Sequence, residues 1–190
     1  MINLITLLRV ILLLPLVWVM LAALPEKSWA ALAIFVLAGA TDFLDGFLAR
    51  KLKQISAFGA MLDQICDKIF IVCTLVAMAA AGLLQNWMLI PVFLIIAREF
   101  AVAGMREYAA QQGRTIPVDK LGKIKTVTQF IAIAGLLCPE FAYLDEGHDT
   151  LAMINIGIFL TGCLLLWLAA ILGCISAINY FRSGSRPSQG

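Results

Sequence analysis

Residues 41–50 read TDFLDGFLAR and residues 59–68 read GAMLDQICDK, so four aspartates lie beside two long apolar runs. The run 29–40 precedes the first pair of aspartates, and the run 69–83 follows the second pair. A carboxylate inside a membrane span costs about 2.5 to 3.5 kcal/mol on insertion scales. Four such groups therefore need compensating partners. The identity of those partners helps to predict both the fold and the function.

The composition of the whole chain points to the membrane. Of its 190 residues, 62% are hydrophobic and 14% are charged, whereas a soluble domain has about 25% charged residues. The net charge of +2 is too small for a protein that binds nucleic acid. We therefore expect an all-α integral membrane protein with no nucleic-acid partner.

Apolar segments bounded by charges, proline and glycine predict six transmembrane helices. They lie at about 4–24, 29–49, 62–83, 87–110, 122–138 and 151–180. Helices are expected because lipid offers no hydrogen-bond partner to an open backbone. The predicted organisation is a single six-helix domain over residues 1–181, followed by a short polar tail, 182–190.

The distribution of basic residues predicts the orientation, because short loops rich in Lys and Arg stay in the cytoplasm. The basic residues that follow the second, fourth and sixth helices, or open the fifth, are Arg50, Lys51, Lys53, Arg114, Lys120, Lys123, Lys125, Arg182 and Arg186. Both termini are then expected on the cytoplasmic side.

Helical spacing brings the aspartates onto two faces. At about 100° per residue, residues four apart lie on the same side of a helix. The residues that share a face are Asp42, Asp45, Gly46 and Ala49 on the second helix, and Gly59, Asp63 and Asp67 on the third. The four carboxylates can therefore converge.

Converging carboxylates repel one another unless cations lie among them, and an all-oxygen ligand set suits Mg²⁺ or Mn²⁺. The lone His148 lies in the acidic segment 139–150 and the cysteines are dispersed, which disfavours zinc. Two metal ions about 3.5 to 4 Å apart can clamp phosphate oxygens and activate a hydroxyl. The small residues Gly46 and Ala49 would let a ligand approach the helix backbone.

Two other interpretations of the acids remain open at this point. The acids could form salt bridges with the nearby cations Arg50, Lys51, Lys53 and Lys68, or they could line a path for protons or metal ions. Transporters usually break corresponding helices near the midplane with Gly or Pro, and no matched pair of such breaks is found here. The spacing favours a metal site.

As a pattern, the acidic region reads D-x-x-D-G-x-x-A-R from Asp42, then eight residues, then G-x-x-x-D-x-x-x-D ending at Asp67. This resembles the signature of the CDP-alcohol phosphotransferase family at every defining position. The resemblance implies that Asp42, Asp45, Asp63 and Asp67 bind two divalent cations, Mg²⁺ or Mn²⁺, which hold the pyrophosphate of a CDP-linked donor. It also implies that an alcohol expels CMP, with Asp67 as the catalytic base.

The resemblance extends along most of the chain. The segments 3–10, 96–99 with 106–107, and 121–126 with Gln129 resemble the family members that use glycerol 3-phosphate as acceptor. The implied reaction joins CDP-diacylglycerol to glycerol 3-phosphate, giving phosphatidylglycerol phosphate and CMP. A homodimer in the bacterial cytoplasmic membrane, with its active site on the cytoplasmic side, is also implied. Gln64, where many relatives have Pro, and the missing Pro before Asn3 depart from the pattern.

The resemblance further implies two sets of substrate contacts. The expected donor contacts are Asn3, Thr6, Thr41, Asp45, Gly46, Ala49, Arg50 and Gly59. The expected contacts to the acceptor phosphate are Arg98, Arg106, Lys123 and Lys125.

A physical argument for the acceptor site is independent of that resemblance. A glycerol phosphate carries about two negative charges, so its site needs fixed cations. Arg98 and Arg106 are eight residues apart on the fourth helix, about 80° around its axis, and can face a common cavity. Glu99 is in a position to orient Arg98 by pairing. The alternative is that these cations extend to the membrane interface or only set the orientation of the chain.

The identity of the acceptor is not encoded directly. Inositol phosphate, serine or phosphatidylglycerol could replace glycerol 3-phosphate in the same chemistry. A serine acceptor is disfavoured, because an acceptor without phosphate would leave Arg98, Arg106 and Lys123 without a role.

Overall fold

The computed structural model describes residues 2–22, 27–52, 57–113, 120–138 and 149–184. Most of the acidic segment 139–150, with His148, and the tail residues 185–190 lie outside these ranges. The described residues form six α-helices, a short 3-10 helix and no strand. The α-helices are α1 (Ile2–Leu21), α2 (Lys27–Leu52), α3 (Ala57–Ala80), α4 (Leu89–Gln111), α5 (Lys120–Leu136) and α6 (Asp149–Gly184), and the 3-10 helix Asn86–Met88 precedes α4.

The all-α prediction and the number of helices are confirmed. The largest difference at a helix start concerns α3, which begins at Ala57 rather than near residue 62. Its first residues, AFGAM, contain no proline and allow the helix to extend towards the N-terminus. Gly59 therefore belongs to the same helix as Asp63 and Asp67, as the shared-face prediction requires.

Local backbone conformation and hydrogen bonds explain why α3 ends where it does. Gly82 has a φ of +77°, a conformation that costs other residues about 1 to 2 kcal/mol. The N–H of Leu83 donates to the carbonyl oxygen of Met78 at 2.9 Å, and the N–H of Gly82 donates to that of Ala79 at 3.1 Å. These bonds satisfy the last carbonyl groups and end the helix.

Two helical segments of the described chain are long and apolar enough to cross a bilayer: Asn86–Gln111 and Met153–Arg182. Leu8–Leu21 and Trp29–Thr41 are apolar but shorter. Large apolar side chains are exposed along the helices, among them Trp18, Phe93 and Leu164. This surface is typical of helices that face lipid. The orientation of the helices and the cytoplasmic location of the termini stay predictions.

The chain forms two compact units. The first unit contains residues Met1–Gln85 and Leu136–Ile158, and the second contains Asn86–Gly135 and Phe159–Gly190. In the first unit α1 packs against α2 and α3, and the rings of Phe35 and Phe70 stack with their centroids 5.6 Å apart. In the second unit Ile95, Ile133 and Leu166 are almost completely buried.

Candidate active site

The signature residues of α2 lie in a continuous helix that runs to Leu52. Asp42 and Asp45 are less than one turn apart on it, as predicted. The predicted site residues whose side chains lie outside the described part of the structure are Asn3, Thr6, Asp42, Asp45, Gly46, Ala49 and Arg50. Their predicted roles in binding metal and donor stay predictions.

The two aspartates of α3 lie close to the same arginine. Nη2 of Arg9 lies 3.9 Å from Oδ1 of Asp63, and Nη1 of Arg9 lies 3.7 Å from Oδ1 of Asp67. The arginine side chain is 2% exposed, whereas the two aspartate side chains are 54% and 51% exposed. One buried guanidinium on α1 thus pairs with two half-exposed carboxylates one helical turn apart on α3.

This arrangement fits a site for a hard divalent cation. Asp63 and Asp67 supply only oxygen donors, and both keep surface that the neighbouring arginine does not cover. The side chains described here contain no cluster of three or more His, Cys, Asp or Glu that could hold a metal ion. A site of four acids would need Asp42 and Asp45, whose side chains are not among those described.

Two further predicted donor contacts lie within the described side chains. The hydroxyl of Thr41 donates to the carbonyl oxygen of Ala38 at 2.7 Å, which leaves its oxygen lone pairs as possible acceptors. Gly59 is half-buried in the first turns of α3, one turn before Asp63. Neither observation tests a contact with the donor.

A second charged cluster lies on α4, α5 and α6 of the second unit. Nη1 of Arg98 donates to Oε1 of Glu99 at 2.9 Å, and Nζ of Lys125 donates to the same oxygen. Nε of Arg98 donates to the carbonyl oxygen of Gly173 at 3.3 Å. The side chains of Arg98, Glu99 and Lys125 are 10%, 14% and 4% exposed.

The formal charge of this cluster is positive, because two cations share one carboxylate. Arg98 lies at the middle of the apolar segment Asn86–Gln111, where a charged side chain usually serves a function or has a partner. Glu99 compensates part of the cost of burying the two cations. A remaining positive charge in a buried position can attract an anion such as a phosphate.

Arg106 has a separate partner on α6, about two helical turns beyond Arg98 along α4. Its Nη2 donates to the hydroxyl of Tyr180 at 2.8 Å, and its guanidinium carbon lies 5.2 Å from the centroid of the Tyr180 ring. Gly173 and Tyr180 are seven residues apart on α6, so both arginines extend to the same face of that helix. Lys123 is exposed on α5 and forms no ion pair with a described residue.

Sequence reasoning assigned neither Arg9 nor Ser176 to a site, and it named Gln129 only as part of the family resemblance. Arg9 was noted only as a residue of the N-terminal segment, although it pairs with the two aspartates of α3. Gln129 and Ser176 are 2% and 0% exposed, and neither Nε2 of Gln129 nor Oγ of Ser176 has a hydrogen-bond partner among the described residues. A basic or polar residue in an apolar helix is the signal that could have singled out Arg9 and Ser176.

The model of the CDP-alcohol phosphatidyltransferase family matches residues 1–175, and the chain belongs to this family. The resemblance identified from the aspartate signature is thus confirmed.

Three relatives of this chain share one name. The chain is 36% identical over 182 residues to the CDP-diacylglycerol–glycerol-3-phosphate 3-phosphatidyltransferase of Cereibacter sphaeroides, covering 83% of this chain and 82% of the relative. It is 37% identical to the protein of the same name from Haemophilus influenzae, covering 78% and 74% of the two chains. The Bacillus subtilis protein of that name is 33% identical, with 84% and 75% covered.

Proposed function

We propose that the protein transfers the phosphatidyl group of CDP-diacylglycerol to glycerol 3-phosphate, giving phosphatidylglycerol phosphate and CMP. The observation that carries this proposal is the pair of signature carboxylates, Asp63 and Asp67, at one buried guanidinium. Membership of the CDP-alcohol phosphatidyltransferase family and the names of three relatives support the same reaction.

The donor site is proposed to lie at the aspartates of the signature. Asp42, Asp45, Asp63 and Asp67 would hold two divalent cations, Mg²⁺ or Mn²⁺, which supply charge neutralisation at the phosphates and acidify the attacking hydroxyl. Asp67 accepts the proton of that hydroxyl as the new oxygen–phosphorus bond forms. The bond between the two phosphates then breaks and CMP leaves with its electron pair.

The remaining donor contacts are proposed around these acids. Gly46, Ala49 and Gly59 carry little or no side chain, so the donor can approach the helices closely. Arg50 contributes a cation to the donor phosphates. Thr41 can accept a hydrogen bond through its hydroxyl oxygen. Asn3 and Thr6 on α1 complete the set as polar contacts.

The acceptor phosphate is proposed to bind at the basic residues of the second unit. Arg98 and Lys125 are already oriented by Glu99, so they lose little side-chain freedom when an anion binds. Arg106, fixed by Tyr180, and the exposed Lys123 add positive charge. Together these residues favour an acceptor that carries a phosphate over a neutral or zwitterionic one.

We place the protein in the bacterial cytoplasmic membrane as a six-span homodimer with both termini and the active site on the cytoplasmic side. The two long apolar segments support membrane insertion. The basic residues after the second, fourth and sixth helices support the orientation. Dimerisation is proposed from the family resemblance alone.

One assay tests the reaction directly. Purified protein in detergent with CDP-diacylglycerol and Mg²⁺ or Mn²⁺ is expected to release CMP when glycerol 3-phosphate is added. Glycerol, serine, inositol phosphate and phosphatidylglycerol serve as the acceptor panel. Faster release with another acceptor would overturn the proposed substrate, and no release with any of them would overturn the proposed reaction in favour of cation or proton transport.

Arg98→Ala is expected to raise the KM for glycerol 3-phosphate strongly and to change the KM for CDP-diacylglycerol little. A charge-assisted contact to phosphate contributes about 1.5 to 3 kcal/mol, which corresponds to roughly 10-fold to 150-fold in affinity. Arg106→Ala is expected to act in the same direction. Steady-state kinetics with each substrate varied in turn provide the measurement.

Arg182→Ala is the matched control, since Arg182 is an exposed arginine near the end of α6 and has no assigned role in the reaction. Its KM values should equal those of the wild type. An unchanged acceptor KM in both Arg98→Ala and Arg106→Ala would show that these arginines do not bind the acceptor phosphate. The proposed acceptor would then lose its support from these residues.

A further inference from the structure

Among the residues whose burial the structure describes, Arg9 is the most buried charged residue that the proposed reaction does not use. The residue as a whole is 1% exposed and lies in the apolar helix α1. Burying an arginine costs several kcal/mol unless an acid pairs with it. Here two acids do so, and both belong to the signature. The arginine therefore links α1 to the residues expected to bind metal.

The exposures show from which side the arginine approaches. The guanidinium is almost completely covered, whereas Asp63 and Asp67 are each about half exposed. Arg9 therefore contacts the carboxylates from the core side of α3. Each carboxylate keeps an exposed part that is accessible to a cation.

The charges support a role before any metal binds. Asp63 and Asp67 are one turn apart, and like charges at that spacing destabilise a helix. One guanidinium between two carboxylates reduces this repulsion and leaves the group with one net negative charge, which still attracts a divalent cation. Arg9 can thus hold both side chains in place without cancelling the charge of the site.

We propose that Arg9 is a positioning residue that orients the Asp63 and Asp67 carboxylates for the divalent cations of the active site. This inference rests on the proposed function and adds to it an arginine from outside the signature. Partners that orient metal ligands from behind typically change metal affinity or activity by about 10- to 100-fold when they are removed.

Two effects of removing Arg9 oppose each other. Losing a positive charge near the metal favours metal binding, but solvent screens this effect because the carboxylates are half exposed. Losing the contact also frees both side chains to adopt other rotamers, and that disorder weakens metal binding. We expect the loss of orientation to dominate.

Mn²⁺ binding to the purified full-length protein, followed by the electron paramagnetic resonance of free Mn²⁺, tests the inference without substrate. Arg9→Gln is expected to raise the dissociation constant for Mn²⁺ by about 10- to 100-fold. Arg9→Lys keeps the charge but lacks the planar fork that reaches two carboxylates, so a smaller increase is expected. Arg182→Gln, which removes an exposed arginine, should bind Mn²⁺ like the wild type.

Unfolding temperatures measured in chelator and in saturating Mn²⁺ separate positioning from simple stabilisation. A purely structural Arg9 would lower both temperatures equally in Arg9→Gln and leave the Mn²⁺ affinity unchanged, which would overturn the inference. Tighter Mn²⁺ binding would overturn it as well. If Arg9→Gln does not fold, unchanged Mn²⁺ affinity in Arg9→Lys decides against it. Absence of Mn²⁺ binding by the wild type would instead overturn the proposed metal site.

Discussion

Asp63→Asn is expected to remove most of the metal-dependent release of CMP from CDP-diacylglycerol. Asp63 is the third acid of the signature and is about half exposed on α3. As a proposed direct metal ligand it should matter more than an outer-shell partner, whose removal costs about 10- to 100-fold. The measurement is the initial rate of CMP release over a range of Mg²⁺ and Mn²⁺ concentrations. Asp42→Asn and Asp45→Asn should behave in the same way.

The variant should remain folded for two reasons. Removing a carboxylate from a predicted membrane span lowers the expected cost of membrane insertion, and Arg9 keeps its pairing with Asp67. Glu107→Gln is the matched control, because Glu107 is an exposed acid on α4 with no assigned role in the reaction. A folded Asp63→Asn protein that released CMP at the normal rate would show that the metal site is wrongly assigned.

Asp67→Asn is expected to lower kcat by about 10² to 10⁴, the usual contribution of a general base. Asp67 lies one turn beyond Asp63 and is half exposed, so its carboxylate is accessible for the proposed role as base. The amide of asparagine still offers an oxygen to a metal but cannot accept a proton. The KM values of both substrates should change much less than kcat.

Single-turnover CMP release at saturating donor, acceptor and metal isolates the proton transfer from binding. Asp67→Asn keeps one of the two acids beside Arg9, because Asp63 is unchanged. If a higher metal concentration alone restored the rate, Asp67 would act only as a ligand and its role as base would be disproved. The same titration in Arg9→Gln should restore the rate, since a positioning residue acts through metal affinity.

The spacing of the acids was sufficient to predict that Asp63 and Asp67 lie on the same face of one helix. Residues four apart share a face in any α-helix, and the structure places both carboxylates beside one guanidinium. For Arg98 the sequence predicted a pairing with Glu99, and the structure contains that pair. Both predictions concern neighbours along one helix.

The partners that Arg9, Lys125 and Tyr180 have on other helices could not be predicted in the same way. Arg9 reaches acids on another helix, Lys125 shares the Glu99 oxygen with Arg98 from α5, and Tyr180 on α6 binds Arg106. Helical periodicity shows which residues share a face, but it does not show which faces of different helices meet.

The sequence by itself determined the helical class, the number of helices in the described part of the chain and the family, since lipid permits few backbone structures and the acids of the signature are spaced at helical intervals. The tertiary structure decided which cation faces the α3 acids and which side chains hold Arg98 and Arg106. The physical reason is that these pairs depend on how helices pack. Packing is set by the fit of many side chains at once, whereas hydropathy and spacing are properties of each segment alone.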